Sequence, residues 1–319
     1  MNYRNYHDLD LTIRRNIEKF QSGKYDLIVG VPRSGMIPAY MIAMHLNVPV
    51  CSFIDLLNNY PFKQVGSRKI KKSINMPQEA DKILIVEDSY VTGVKLHENV
   101  KQLPEEVQKK SDIIAIYSAI KEPNLDYYLE FLPYPRIFEW NIFHHLIASS
   151  SAFDMDGVLC EDPTSEQNDD SENYRRFILN AKPKYLPTVP IKAIVTSRLE
   201  KYRQLTEEWL KNHKVEYEEL IMLNLPNAEE RQRHGSHGAF KAKEYKKIKY
   251  ELFFESEYNQ AIEINQLTKK PVYCVDENIL IDGKGIYKIR DKSWALRNKI
   301  KKIPILGSLL KGILRRLKK

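Results

Sequence analysis

A short apolar run that breaks into a loop and then a helical pattern occurs twice in this sequence, and it is the strongest constraint on the fold. The first run is Asp26-Leu27-Ile28-Val29-Gly30, followed by turn residues at 31–35 and a helical pattern over 35–46. The second begins at Ser151-Ala152-Phe153 and opens into 154–159. A strand that is apolar along its whole length is buried on both faces, which is the habit of parallel sheets covered by helices. Two such starts, more than a hundred residues apart in a chain of 319, predict an α/β protein of two doubly wound (Rossmann-like) parallel-sheet domains.

The first half predicts a helix over 8–21 and strands over 26–30, 48–54, 82–86 and 112–118. Residues 58–80 are polar and basic. Pro123, Pro133 and Pro135, in a stretch with little periodicity, mark 123–148 as a boundary segment. Strands over 191–195, 218–222, 251–254 and 271–275 continue the second domain, and 160–190, acidic and then Pro-rich, reads as a small insertion over its site. The expected division is 1–145, 146–296 and a tail, 297–319. Ligands of doubly wound sheets sit beyond the carboxyl ends of the strands, so the chemistry is sought in the loops there.

Strand 26–30 ends in Val31-Pro32-Arg33-Ser34-Gly35, a tight turn whose amides and guanidinium can face an anion. Strand 82–86 ends in Glu87-Asp88-Ser89-Tyr90-Val91-Thr92-Gly93. Adjacent carboxylates at a strand end are costly unless they meet hydroxyls or a metal. The Ser, Thr and Gly after them offer amides at a helix N-terminus, where phosphate binds. One loop can thus hold a phosphorylated sugar, with acids on its diol and amides on its phosphate. This run resembles the 5-phosphoribosyl 1-diphosphate signature of type I phosphoribosyltransferases, over about residues 20–120. The resemblance implies that 31–35 is the diphosphate loop and 66–72 the mobile basic loop. Glu87 and Asp88 then hold the ribose hydroxyls, and Ser89, Tyr90, Val91, Thr92 and Gly93 the 5-phosphate. Mg²⁺ neutralises the diphosphate, and Arg33 with Arg68 or Lys69 stabilises its charge as it leaves. No acceptor pocket is readable; Asp55, at the end of the second strand, is the candidate base.

In the second half, Phe153-Asp154-Met155-Asp156-Gly157-Val158-Leu159 puts two aspartates at i and i+2 in one loop. A carboxylate can attack a phosphoryl group when a metal and cations mask the repulsion. The motif resembles the first motif of the haloacid dehalogenase superfamily. In order after it come Ala193-Ile194-Val195-Thr196-Ser197-Arg198, a lysine in Phe240-Lys241-Ala242-Lys243, and Phe253-Phe254-Glu255-Ser256. The resemblance implies Asp154 as the nucleophile forming a phosphoaspartate and Asp156 as general acid and then base. Thr196, Ser197 and Lys241 (or Lys243) bind the phosphoryl group. Mg²⁺ sits on Asp154, Glu255 and Asp156, the last through its backbone carbonyl. Ser256 stands where many members carry a second acid, with Glu257 next along. Asp156 favours phosphatase over dehalogenase chemistry, and the small insertion leaves room for a bulky substrate.

The chain carries 50 basic and 42 acidic residues, yet nine of the cations and none of the acids fall in 297–319. The basicity belongs to the tail, and a body coated with nucleic acid is not expected. Ile303, Leu306, Leu310, Ile313, Leu314 and Leu317 recur there at three- and four-residue spacing, the pattern of a basic amphipathic helix lying on an anionic membrane surface. A partner-docking helix or an RNA-binding tail is the competing reading. His144-His145 and His234 with His237 lack metal-ligand partners and read as boundary and loop residues, while 224–238 is expected to shape the phosphatase pocket. Cys51, Cys160 and Cys274 form neither a disulfide framework nor a zinc ribbon. The N-terminus lacks a signal-peptide core and no apolar run nears the ~20 residues of a membrane span. A cytoplasmic body held on the inner face of the membrane is expected.

Together the resemblances imply an enzyme that transfers phosphoribose from 5-phosphoribosyl 1-diphosphate and then removes the phosphate. The pairing resembles the ribofuranosyl-transfer enzymes of bacterial surface polysaccharides such as O antigens or capsules, with a lipid-linked glycan as acceptor. Nucleobase salvage followed by nucleotide dephosphorylation, or a donor-sensing regulator, is the alternative.

Overall fold

A computed structural model of the chain describes residues 1–20, 23–62, 74–227, 229–230, 236–247, 249 and 251–282. The basic loop 66–72, with Arg68 and Lys69, and the tail 297–319 lie outside the described residues. The architecture is mixed α/β with parallel sheets, and the chain divides into two units, one from Met1 to Ile142 and one from Phe143 onward.

The first unit runs β1 (Asn2–Arg4), α1 (Tyr6–Arg15), β2 (Leu27–Gly30), α2 (Met36–Leu46), β3 (Val50–Ser52) and α3 (Phe53–Asn58). It continues with β4 (Ile83–Tyr90), α4 (Val94–Val100), α5 (Glu105–Lys109), β5 (Ser111–Ser118), β6 (Tyr127–Phe131) and β7 (Arg136–Phe138). Five strands form one all-parallel sheet in the order β3-β2-β4-β5-β6. Alternation along the strands feeds two cores: Leu27, Val29, Ile83 and Ile85 pack on one face, Ile28, Leu84, Val86 and Ile114 on the other. From β2 the chain goes out to β3 and returns to β4 on the other side. This reversal opens a crevice at the carboxyl ends of β2 and β4.

Several sequence expectations are corrected here. The helix expected over 8–21 begins at Tyr6, where Asn5 and Asp8 form a capping box, and it ends at Arg15 before a separate single turn at Ile17–Phe20. The strand expected over 48–54 stops at Ser52. The Ser52 amide donates to the Asp55 carboxylate at 2.9 Å and the Asp55 amide to Ser52 Oγ at 3.2 Å, a capping box that starts α3. Asp55, the candidate base, is thereby spent on a helix cap. β4 does not end at Val86, because Glu87, Ser89 and Tyr90 pair with Ala115, Tyr117 and Ser118 of β5. The boundary stretch 123–148 carries two strands; β6 pairs with β5, and β7 with β1 as a separate two-stranded parallel sheet.

The second unit contains β8 (Ala152–Phe153), α6 (Glu172–Asn180), β9 (Ile191–Leu199), α7 (Arg203–Asn212) and β10 (Tyr217–Leu223). After these come α8 (His237–Lys247), β11 (Phe253–Glu255), α9 (Tyr258–Thr268), β12 (Val272–Cys274) and β13 (Ile279–Ile281). Its sheet order is β10-β9-β8-β11-β12-β13, parallel except for the β12–β13 edge pair. The chain leaves β8 toward β9 on one side and comes back to β11 on the other, so the end of β8 is a switch point. Between β8 and β9 the insertion 160–190 holds α6. Its far limb is tied back: the Lys184 and Tyr185 amides donate to the Leu159 and Val158 carbonyls, at 2.9 and 3.2 Å.

Gly35 fixes how closely the β2–α2 turn approaches β4. A Cβ there would lie 2.6 Å from the Val86 carbonyl oxygen and 2.7 Å from that of Val31, both backbone atoms that cannot swing away. Gly35→Ala is therefore expected to destabilise the first unit by about 1–3 kcal/mol, the range of overpacking, measured by urea unfolding. A variant as stable as the parent would show the turn to be looser than described.

Candidate functional site

In the first unit the turn 31–35 lies against the acidic end of β4. The Val31 amide donates to the Val86 carbonyl at 3.0 Å, carrying the ladder one residue past β2. Pro32 and Arg33 then emerge into solvent, joined by a cis peptide. Ser34 Oγ donates to Asp88 Oδ1 at 2.9 Å, and the Trp140 indole donates to Asp88 Oδ2 at 2.7 Å. Asp88 is buried between them. Trp140 itself stacks on Phe138, with ring centroids 4.8 Å apart. Glu87 is driven up to about 9, first by burial and then by its hydrogen bond with the Asp88 carboxylate. Burial and the neighbouring carboxylate both favour the protonated form of Glu87.

The segment read as a five-residue phosphate loop is shorter. Ser89 and Tyr90 belong to β4, and only Val91, Thr92 and Gly93 turn before α4. Ser89 Oγ accepts from the Arg136 guanidinium at 2.8 Å. The Tyr90 ring is buried, and its hydroxyl donates to the Thr92 carbonyl at 3.1 Å, so it props the turn from below. Gly93 is left-handed (φ 64°), and a Cβ there would strike the Tyr90 ring at 2.1 Å. Val91 and Thr92 are exposed. Arg136, 4% exposed, also donates to the Tyr90 carbonyl at 3.0 Å and to the Leu132 carbonyl at 3.3 Å. It ties the end of β4 to the stretch that the prolines had marked as a boundary.

In the second unit four distant segments meet at the end of β8. The Lys241 ammonium donates to Asp154 Oδ2 at 2.6 Å, to Glu255 Oε2 at 2.7 Å and to Gln260 Oε1 at 2.9 Å. All three of its protons are committed. Asp154, Lys241 and Glu255 are 5%, 2% and 0% exposed. Burial alone would lower the lysine, but the two carboxylates outweigh it and hold Lys241 above its ordinary range. Asp154 is raised, chiefly by burial; Lys241 pulls it down and Glu255 pushes it up. Lys243, the alternative lysine, is exposed on the next turn of α8.

Asp156 points elsewhere. Its Oδ1 accepts from Arg198 Nη2 at 2.6 Å, and Arg198 Nε lies 3.1 and 3.2 Å from its two oxygens. The Arg198 side chain is fully buried. Thr196, Ser197, His237 and Gln260 join Asp154, Asp156, Lys241 and Arg198 around a cavity of about 140 Å³. Ser197 Oγ is buried without a hydrogen-bond partner. Gly157 has φ 77°, and a Cβ there would meet Ser256 Oγ at 2.1 Å, so the loop passes hard against Ser256.

Among the described residues no three His, Cys, Asp or Glu side chains gather as a metal-binding group. Of the set expected to hold Mg²⁺, the Asp156 carboxylate is taken by Arg198, which leaves its backbone carbonyl. Asp154 and Glu255 remain side by side on one ammonium. Two buried carboxylates against one lysine leave a surplus negative charge on hard oxygen donors, and that fits Mg²⁺.

Sequence reasoning did not single out Trp140, Arg136 or Gln260, and read Arg198 only as the end of a motif. A charged residue inside the apolar run 191–199 is a signal of a buried partner. Nothing in the sequence links Trp140 to Asp88 or Gln260 to Lys241.

No family model and no curated protein matches the sequence. Among solved structures, the chain is similar to a purine phosphoribosyltransferase from Pyrococcus horikoshii, with 23% identity over 44% of this chain and 92% of that one, at a TM-score of 0.31. It is also similar to the xanthine-guanine-hypoxanthine phosphoribosyltransferase of Helicobacter pylori, with 17% identity over 44% and 95%, at 0.32. The adenine phosphoribosyltransferase of Leishmania tarentolae matches at 15% identity over 35% and 58%, at 0.24.

The raised Glu87 carboxyl makes stability depend on pH. Its contribution is whole below the ordinary glutamate value of 4.5 and is lost as pH rises toward about 9, because the unfolded chain ionises there while the folded one resists. Glu87→Gln copies the protonated form. Its melting temperature relative to the parent should be unchanged at pH 4 and should gain a few degrees by pH 8 to 9, read by calorimetry. A gap that is independent of pH would show that Glu87 ionises normally.

Proposed function

We propose that the chain installs a ribofuranosyl residue in two steps, one in each unit. The first unit transfers phosphoribose from 5-phosphoribosyl 1-diphosphate to a sugar hydroxyl of a lipid-linked glycan, releasing diphosphate. The second removes the 5-phosphate and leaves a β-ribofuranoside. The reading rests above all on one observation: Asp154, Thr196 and Lys241, from three separate segments, border one cavity, with Glu255 on the same ammonium.

In the first step the bond from C1 to diphosphate breaks as the acceptor oxygen bonds to C1, through an oxocarbenium-like state, and the acceptor hydroxyl's proton goes to the departing diphosphate. Mg²⁺ bound to the donor would supply charge neutralisation at its diphosphate. Arg33, exposed at the turn, meets the departing charge, and Ser34 and Trp140 hold Asp88 in place for the ribose diol. Thr92 and Gly93 receive the 5-phosphate. A role for Arg68 and Lys69 at the diphosphate rests on sequence alone.

In the second step Asp154 attacks phosphorus and the ribosyl alkoxide leaves, taking a proton from Asp156. Asp156 then takes a proton from water, which releases phosphate from the phosphoaspartate. Thr196 and Ser197 offer hydroxyls to the phosphoryl oxygens, and Lys241 balances Asp154. Asp154, Glu255 and the Asp156 carbonyl would hold Mg²⁺, which supplies positive charge beside the phosphoryl group. Membrane placement through 297–319 is supported by the sequence of that tail. No helix among the described residues is long and apolar enough to cross a membrane.

Two variants test the halves separately. Asp154→Asn should leave transfer intact and make the product carrying ribose plus phosphate accumulate, seen by mass spectrometry; release of dephosphorylated product alone would contradict the role of Asp154. Glu87→Ala with Asp88→Ala should reduce transfer at least a hundredfold, about 3 kcal/mol of transition-state stabilisation. Hydrolysis of a pre-made phosphoribosyl glycan should continue, and unchanged transfer would remove the donor-site assignment.

A further inference from the structure

Gln260, half-buried in the first turn of α9, borders the cavity at Asp154 together with Thr196, Ser197 and Lys241. Its backbone is anchored independently of the site. Glu257 caps the helix, and its carboxylate accepts from the Gln260 amide at 2.7 Å.

The partner of the side chain decides which way its amide faces. An ammonium can only donate, so the atom 2.9 Å from Lys241 Nζ has to be the carbonyl oxygen, Oε1. That turns Nε2, with its two protons, away from Lys241. Among the described residues, the Lys241 ammonium is the one hydrogen-bond partner of this side chain, so both Nε2 protons are left for an occupant of the cavity. The nitrogen is also near the reacting atoms. The bond lengths of a carboxamide put its N and O ~2.3 Å apart, which keeps Nε2 within about 5 Å of the ammonium. Lys241 Nζ is itself 2.6 Å from Asp154 Oδ2.

Charge and topology call for such a donor. Arg198 is turned to Asp156, and Lys241 has its three protons on Asp154, Glu255 and Gln260. The donors that a phosphoryl oxygen can take without parting an ion pair are therefore neutral. Thr196 and Ser197 belong to β9, on one side of β8 in the sheet, and Ser197 Oγ is buried with no partner. Gln260 follows β11, on the other side of β8. Idle neutral donors thus flank Asp154 from two directions, as the several oxygens of a tetrahedral phosphoryl group require.

We infer that Gln260 is a phosphoryl-binding residue, with Oε1 fixed by Lys241 and Nε2 donating to a phosphoryl oxygen across the cavity from Thr196 and Ser197. This assignment rests on the phosphatase reading and deepens it. The contact is with the phosphoryl group and not with the alcohol, so it serves every ester alike.

The test uses the full chain with Mg²⁺ and two variants, Gln260→Met and Gln260→Glu. The first is neutral, of similar length, and offers no N–H. The second keeps an oxygen for Lys241 but, when ionised, has no proton to donate. Inorganic phosphate, titrated by calorimetry, reads binding without turnover. Release of phosphate from p-nitrophenyl phosphate, ribose 5-phosphate and methyl 5-phosphoribofuranoside reads catalysis. Both variants should bind phosphate about tenfold more weakly or worse, and kcat/KM should fall by a similar factor for all three esters. Gln260→Met adds no charge and Gln260→Glu preserves the lysine contact, so a loss shared by both belongs to the missing donor. Parent-like phosphate binding by Gln260→Glu, or a loss confined to one ester, would overturn the assignment. If thermal melting shows that Gln260→Met does not fold, Gln260→Glu decides it. Hydrolysis of none of the esters by the parent would instead overturn the phosphatase reading. The phosphate titration then judges Gln260 alone: weakening in the variants supports it, while undiminished binding, or no binding to the parent, refutes it.

Discussion

The second unit is organised around one buried ammonium. Taking Asp154 and Glu255 out of water costs several kcal/mol per ion unless a partner is fixed beside them, and Lys241 is that partner for both. To reach them it must come from α8, whose inner face packs Ala242 and Tyr245 into the same core as Phe253 and Val272. The helix is thus seated by apolar contacts and its lysine delivered by them. Gln260, from the first turn of α9, completes the ammonium's coordination. Glu255 has its other oxygen held by the Ser256 and Glu257 amides, at 3.0 and 3.2 Å. No member of the group can rotate away without leaving another unsatisfied, which is what keeps a nucleophile candidate aimed in a cavity lined by polar groups.

The first unit solves a similar problem by other means. Among the described residues no lysine pairs with its acids. Asp88 is satisfied by a hydroxyl and an indole, both neutral donors, and burial raises Glu87. Arg136, a buried cation nearby, is given to backbone carbonyls and Ser89, and burial lowers it. This arrangement leaves the mouth of the crevice with little net charge from its buried groups. Among the described residues, an anion bound there would meet the exposed Arg33 and the amides of the turns.

What the sequence made legible follows from range. Strand runs such as Leu27–Gly30 and 193–195 are apolar because both faces are covered, and that is visible locally. The Ser52/Asp55 cap was equally local, a hydroxyl and an acid three apart, yet the β-branched residues around it suggested a longer strand. Lys241 and Lys243 cannot be separated by motif spacing, since both follow Phe240 within three residues. Only the helix face decides: one points into the core and the other to solvent. β6, an edge strand half-exposed along its length, lacks the alternation of a one-sided strand, and β7 spans only three residues next to prolines. Trp140 reaches Asp88 across a sequence gap of 52 residues, and contacts of that kind leave no trace in one sequence.

The charge balance at the end of β8 constrains what can enter. Asp154, Asp156 and Glu255 face Lys241 and Arg198, three carboxylates against two cations. A phosphate monoester adds up to two negative charges to this surplus, and in a buried site that repulsion is screened far less than in water. Arg198 does not relieve it, because its guanidinium is turned to Asp156, Thr206 and Cys160. Lys241 could offer a proton to a phosphoryl oxygen only by giving up Gln260 or a carboxylate. The neutral donors that line the cavity, Thr196 and Ser197, orient oxygens without cancelling charge. A phosphoryl group therefore needs a cation to enter with it or before it, and the surplus on Asp154 and Glu255 is where that cation would be held.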